Sequence, residues 1–190
     1  WIQIMSTYLN EADSDSDGEK NAASKGPARE PLSEEQVNGI LETTAALKAE
    51  GNAFFSKSEF DGALEKYTAA VSLLKESDLP KDGLILLNRS ATYLALKRYV
   101  PALNDANQAI AIDPDNWKGH WRKGVALMSM SKRQFRTKQA IEAFESCRSC
   151  STLPSNKKAE VAAELNKAKA RMEQQDAETP PADLSNCAPS

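Results

Sequence analysis

Three stretches of this chain repeat one pattern of small and aromatic residues. Thr44 to Ser77 carries Gly51, Phe54, Ala63, Tyr67 and Ala70, and Gly83 to Asn116 carries Ser90, Tyr93, Ala102, Ala106 and Ala109, then Pro114. From the first marked residue the later ones follow at 3, 12, 16 and 19 in both stretches. A third copy begins at Trp117, with Gly124 and Leu127. Its later marks, Ala140, Phe144 and Cys147, are displaced by four, which places an insertion within Ser131 to Gln139. Five residues, Asp78 to Asp82, lengthen the first connection. A unit of this length cannot bury its own apolar face, so such copies stack on their neighbours. Apolar residues keep a helical period from Ser33 to Gln175, with almost no strand alternation. Ser33, with Gln36 three residues on, has the spacing of a capping box and opens the first helix.

The expected fold is all-α, a helical solenoid of seven helices. Three helix-turn-helix repeats occupy about 44–77, 83–116 and 117–154, and a capping helix spans about 156–175. Gly51, Ser90 and Gly124 let one helix of each pair approach the other, and Ala63, Ala102 and Ala140 do the same from the facing helix. Tyr67 and Phe144 fill the space between repeats. The last helix has Val161, Leu165 and Ala168 on one stripe and charge elsewhere, as the end of a repeat stack requires. The folded domain is placed at 33–178. Residues 1–32 are rich in Ser, Asp, Glu and Ala and poor in large apolar side chains, and 179–190 holds three prolines without apolar period, so both read as disordered tails.

Charge is unevenly distributed. Residues 1–35 hold three basic and eight acidic side chains, whereas residues 81–140 hold eleven basic and four acidic. An acidic tail ahead of a basic body suggests a surface for anions. The tail would also compete weakly with acidic ligands, or serve only for solubility. Trp1 to Ile4 does not read as a signal peptide, because no basic segment precedes a long apolar one. No aliphatic run is long enough to span a membrane.

A binding face follows from helical geometry. At about 100° per residue, positions 2, 5, 6, 9, 12 and 13 of each first helix lie opposite its packing positions. In a curved stack they line the inner groove. The first repeat supplies Ala45, Lys48, Ala49, Asn52, Phe55 and Ser56. The second supplies Leu84, Leu87, Asn88, Ala91, Leu94 and Ala95. The third supplies Lys118, Trp121, Arg122, Val125, Met128 and Ser129. Of these, three are cationic and none is acidic. Amide and cationic donors between apolar walls suit an extended peptide that carries carboxylates. Lysines on helices are ordinarily just solvated, but Asn88, a poor helix former in mid-helix, wants a further reason.

The repeat signature resembles the tetratricopeptide repeat over roughly residues 44–154. Leu47 and His120 stand where that family often has Trp, and Lys75 replaces the closing Pro of the first repeat. Lys48, Asn52, Asn88, Lys118 and Arg122 match all five positions of the carboxylate clamp of co-chaperone repeat domains. The resemblance implies a non-enzymatic adaptor that binds the C-terminal Glu-Glu-Val-Asp of the 90-kDa or 70-kDa heat-shock chaperones. By it Lys48, Asn52 and Asn88 would hold the terminal α-carboxylate and Lys118 the terminal Asp side chain. Arg122 would reach the peptide further upstream, and Phe55 and Leu94 would offer apolar contact. Two other readings stand beside it: a scaffold for an unrelated partner, and the docking domain of a larger co-chaperone enzyme.

The remaining features point to blander roles. Cys147 and Cys150 form a Cys-x-x-Cys on a helix, with no second Cys pair or His nearby in sequence, so packing is expected rather than zinc or redox use. Thiols without partners fit a reducing compartment, and the expected location is cytoplasmic. His120, the one histidine, is expected to pack. Trp121 either walls the groove or fills the core. Lys132, Arg133, Arg136 and Lys138 cluster at the insertion, but no aromatic platform interleaves with them, so no nucleic-acid partner is expected. Ser14 and Ser16, each with an acid three residues on, resemble acidophilic kinase sites. No cofactor, metal or membrane partner is implied, and a monomer is expected.

Overall fold

The computed structural model describes residues 31–130 and 134–178. The chain separates into two units, Trp1–Leu32 and Ser33–Ser190. The expected tails therefore fall almost wholly outside the described residues, as do Lys132, Arg133 and Cys187. Described residues of the second unit form seven α-helices and no strand: α1 (Glu34–Ser56), α2 (Phe60–Glu76), α3 (Gly83–Ala95), α4 (Tyr99–Ile112), α5 (Trp117–Met130), α6 (Gln134–Ser149) and α7 (Lys158–Glu178). A 3₁₀ turn, Ser155–Lys157, leads into α7.

Local chemistry sets the helix ends. The Ser33 side chain accepts from the Gln36 N–H at 3.2 Å, and the Ser33 N–H donates to the Gln36 side chain at 2.8 Å. That closes the capping box and starts α1, which runs unbroken into the first repeat. Within the first two repeats the turn between paired helices has one geometry. Ser58 and Lys97 adopt φ of 62° and 57°. The next residue reaches back, Glu59 N–H to the Phe54 carbonyl at 3.0 Å and Arg98 N–H to the Tyr93 carbonyl at 2.8 Å. These are left-handed helix ends without glycine, each tolerated at about 1 kcal/mol.

Repeat packing matches the sequence pattern. A Cβ on Gly51 would lie 2.6 Å from the Tyr67 ring, and one on Gly124 would lie 2.5 Å from Phe144. Ser90 instead donates to the Ala102 carbonyl at 2.8 Å. Ala63, Ala102 and Ala140 are fully buried. The described helices of the third repeat are longer than those of the second. Ala140 is the seventh residue of α6, where Ala63 and Ala102 are the fourth of theirs, and α5 is one residue longer than α3. About one added turn returns the packing residues to the same face. Val161, Leu165 and Ala168 of α7 are buried, packed with Leu127, Ala140, Phe144, Cys147 and Leu153.

Candidate functional site

Three consecutive first helices, α1, α3 and α5, meet with α2 around a cavity of about 200 Å³. Asn52, Phe55 and Ser56 come from α1, Tyr67 from α2, Asn88 and Ala91 from α3, and Arg122 from α5. None of these seven is acidic. The Asn52 side-chain oxygen accepts twice, from the Tyr67 hydroxyl at 2.6 Å and from the Asn88 amide at 2.9 Å. This leaves the Asn52 NH2 as the group it can offer, and fixes both amides to a buried phenol.

Arg122 is the charged member. One of its guanidinium nitrogens is buried without a hydrogen-bond partner. Burial pushes the guanidinium down to about 10, with Tyr67 acting the other way. At neutral pH it is still a cation, and the fold leaves that nitrogen unsatisfied. Burial likewise raises the Tyr67 phenol, while Arg122 and the Asn88 amide pull it down, so it stays protonated. The cavity is a desolvated cation beside amide donors, open to an anion.

Asn52, Asn88, Arg122 and Phe55 are thus brought together from the residues singled out in sequence. Lys48 and Lys118 stand one helical turn earlier than Asn52 and Arg122, about 6 Å toward the start of their helices. They form an outer tier. Lys118 is exposed, and Lys48 donates to Asp82 at 3.1 Å. Leu94 is half-buried on α3 and does not line the cavity. Leu87, placed on the inner face by its azimuth, is instead in the core with Leu86 and Ala109. Helical numbering missed two participants. Tyr67 reads as a packing residue yet carries the hydroxyl that orients Asn52. Asp82 lies one residue before the counted repeat, at the helix N-cap, a position whose preference for Asp was the available signal.

Elsewhere the residues do what packing asks. Trp121 packs on Phe144, with ring centroids 5.6 Å apart, so the core alternative holds. The half-buried His120 places Nε2 2.9 Å from the Pro114 carbonyl. Cys147 and Cys150 are free and donate to the Trp117 and Ser146 carbonyls. Burial pushes the Cys147 thiol up to about 12, far from a reactive thiolate. Among the described residues no group of three His, Cys, Asp or Glu side chains could hold a metal ion. No helix of the described residues is long and apolar enough to cross a membrane.

Stacked helix pairs with a donor-lined pocket on their first helices define an all-α helical-repeat domain. Comparison with known proteins makes the class specific. No protein-family model matches the chain. Heat shock protein STI1 of Saccharomyces cerevisiae is 36% identical over 103 residues, 53% of this chain and 17% of that protein. The small glutamine-rich tetratricopeptide repeat-containing protein 2 of the same yeast is 33% identical over 99 residues, 52% of this chain and 26% of that protein. Serine/threonine-protein phosphatase 5 of Rattus norvegicus is 30% identical over 116 residues, 61% of this chain and 21% of that protein. The chain spans about a quarter or less of these relatives. Among solved structures, the Sgt2 TPR domain of Aspergillus fumigatus superposes with a TM-score of 0.59 at 28% identity, covering 77% of this chain and 91% of that one. The second TPR domain of human RPAP3, in complex with the HSP70 peptide SGPTIEEVD, gives 0.58 at 25% identity, covering 69% and 98%. The chain contains a tetratricopeptide-repeat domain homologous to those of Sti1 and Sgt2.

Proposed function

We propose that residues 33–178 form a docking domain that binds the free C-terminal Glu-Glu-Val-Asp of 70-kDa or 90-kDa heat-shock chaperones and catalyses no reaction. The observation that carries this reading is the buried, unpartnered guanidinium nitrogen of Arg122 on a cavity shared with Asn52 and Asn88. A cation removed from water without a partner is destabilising unless a ligand supplies the anion. A C-terminal Asp brings two carboxylates on one residue. In this reading the inner amides, Asn52 and Asn88, meet the α-carboxylate with Lys48. Lys118 meets the terminal side chain from the outer tier, Arg122 holds the peptide further upstream, and Phe55 packs on its apolar residue. Leu94 contributes where the peptide leaves the cavity. The free Cys147 and Cys150 are compatible with a reducing, cytoplasmic setting. The phosphatase relative favours one variant, in which the same domain docks a larger enzyme.

Calorimetric titration of the full chain with free-acid and amidated Glu-Glu-Val-Asp peptides tests the reading. The free acid binds and the amide loses at least tenfold, about 1.4 kcal/mol. Lys118→Ala weakens the free-acid peptide about tenfold, whereas Lys138→Ala, an exposed cation on α6, is near neutral. Equal losses in the two lysine variants would mean diffuse attraction and no clamp.

A further inference from the structure

We infer that Asp82 is a built-in competitor for the peptide's carboxylate, holding Lys48 until a ligand displaces it. The inference rests on the proposed reading of the cavity and concerns how tightly that site binds. Asp82 is the N-cap of α3, and its two oxygens have separate tasks. Oδ1 accepts from the Leu84 and Ile85 N–H groups at 2.7 and 3.2 Å, which pins the carboxylate to the helix start. Oδ2 accepts from Lys48 Nζ at 3.1 Å. Both side chains of the pair are 30% exposed, so the charges are partly withdrawn from water.

The two partners differ in freedom. Asp82 is held by two backbone amides and cannot swing away without uncapping α3. Lys48 ends a flexible four-carbon stem, with three donors of which Asp82 takes one. An arriving carboxylate therefore meets a cation already paired with a fixed anion. It must win Lys48 from Asp82 and stand close to a like charge. Two unit charges a few ångströms apart near a surface still repel appreciably, and salt reduces this. Asp82 comes last in the five residues that lengthen the first connection, so the competitor arrives with that insertion.

Asp82→Asn tests this, because Asn caps helices as well as Asp and removes only the charge. Asp82→Ser is a second variant that keeps a cap. Glu173→Gln, at an exposed position of α7, makes the same change in net charge away from the site. The full-length variants are titrated with a Met-Glu-Glu-Val-Asp peptide, free acid or amidated, at low and high salt, with thermal melting to verify the cap. The expected result is roughly threefold or tighter binding of the free-acid peptide by both Asp82 variants at low salt, shrinking at high salt. No gain is expected with Glu173→Gln, and none for the amide. Unchanged or weaker binding by the Asp82 variants, or an equal gain from Glu173→Gln, overturns the inference. Wild-type chain that fails to bind the free acid, with the Asp82 variants failing alike, overturns the underlying reading itself.

Discussion

Arg89 and Arg122 sit on neighbouring first helices, α3 and α5, and both are half-buried. Their surroundings are opposite. Arg89 makes two parallel bonds to Asp105 of α4, Nε to Oδ2 at 2.7 Å and a terminal nitrogen to Oδ1 at 2.8 Å, and it lies over the Tyr93 ring. The bond to Asp105 raises its pKa despite burial. Arg122 has no such partner, and burial lowers it. Arg89 is the seventh residue of its repeat and Arg122 the sixth of the next. One position is about 100° of azimuth. That rotation turns one guanidinium toward the second helix of its own pair and the other toward the inner face. The fold completes the first site by itself and leaves a buried guanidinium nitrogen of the second without a hydrogen bond.

The largest effect expected from this contrast is on stability. Asp105→Ala strands Arg89 in a site where Asp105 is only 3% exposed, and breaking a buried pair by removing one partner costs about 3–5 kcal/mol. Chemical denaturation should show that loss, with peptide affinity per folded molecule little changed. Arg122→Met should do the reverse. It removes an unpaired buried cation and keeps volume, so the unfolding free energy should stay level or rise. Affinity for the free-acid peptide should fall about tenfold or more. A stability loss for Arg122→Met as large as for Asp105→Ala would erase the distinction between the two arginines.

Helical period alone made one half of this contrast legible. Stepping by 100° put Asn52, Asn88 and Arg122 on one face, and they do converge on one cavity. The signature marked Gly51 and Gly124 as points of close approach, and the Tyr67 and Phe144 rings, expected between repeats, lie against those glycines within their own repeats. The failures share a cause. Azimuth counts Leu87, at about 140° in a sector of about 120–240°, as inward, yet it turns into the core with Leu86 and Ala109. Azimuth also carries no depth along the helix. It could not tell that Lys48 and Lys118 stand a turn outside Asn52 and Arg122. Nor could a residue type show its charge partner: Asp105 and Asp82 are both single acids with no other acid within three residues. One completes an internal bridge and the other occupies a lysine of the groove.

The smallest expected effect probes how the open site is kept ready. The Tyr67 hydroxyl and the Asn88 amide both donate to the one Asn52 oxygen, so that oxygen is not left bare when either is removed. Tyr67→Phe keeps the ring that fills the space against Gly51 and deletes only the donor. A net hydrogen bond of this kind contributes about 0.5–1.5 kcal/mol. Most of it should appear in binding, because Asn52 gains freedom to rotate its NH2 out of register with the ligand. Calorimetry should therefore show roughly a two- to fivefold weaker free-acid titration with an almost unchanged melting temperature. The same variant should leave the Arg89–Asp105 pair untouched, since the Tyr67 hydroxyl donates to Asn52 and Arg89 bonds Asp105. Should Tyr67→Phe instead lower stability by several kcal/mol and spare affinity, the phenol belongs to the core alone. Arg122 would then meet its ligand without help from that hydroxyl.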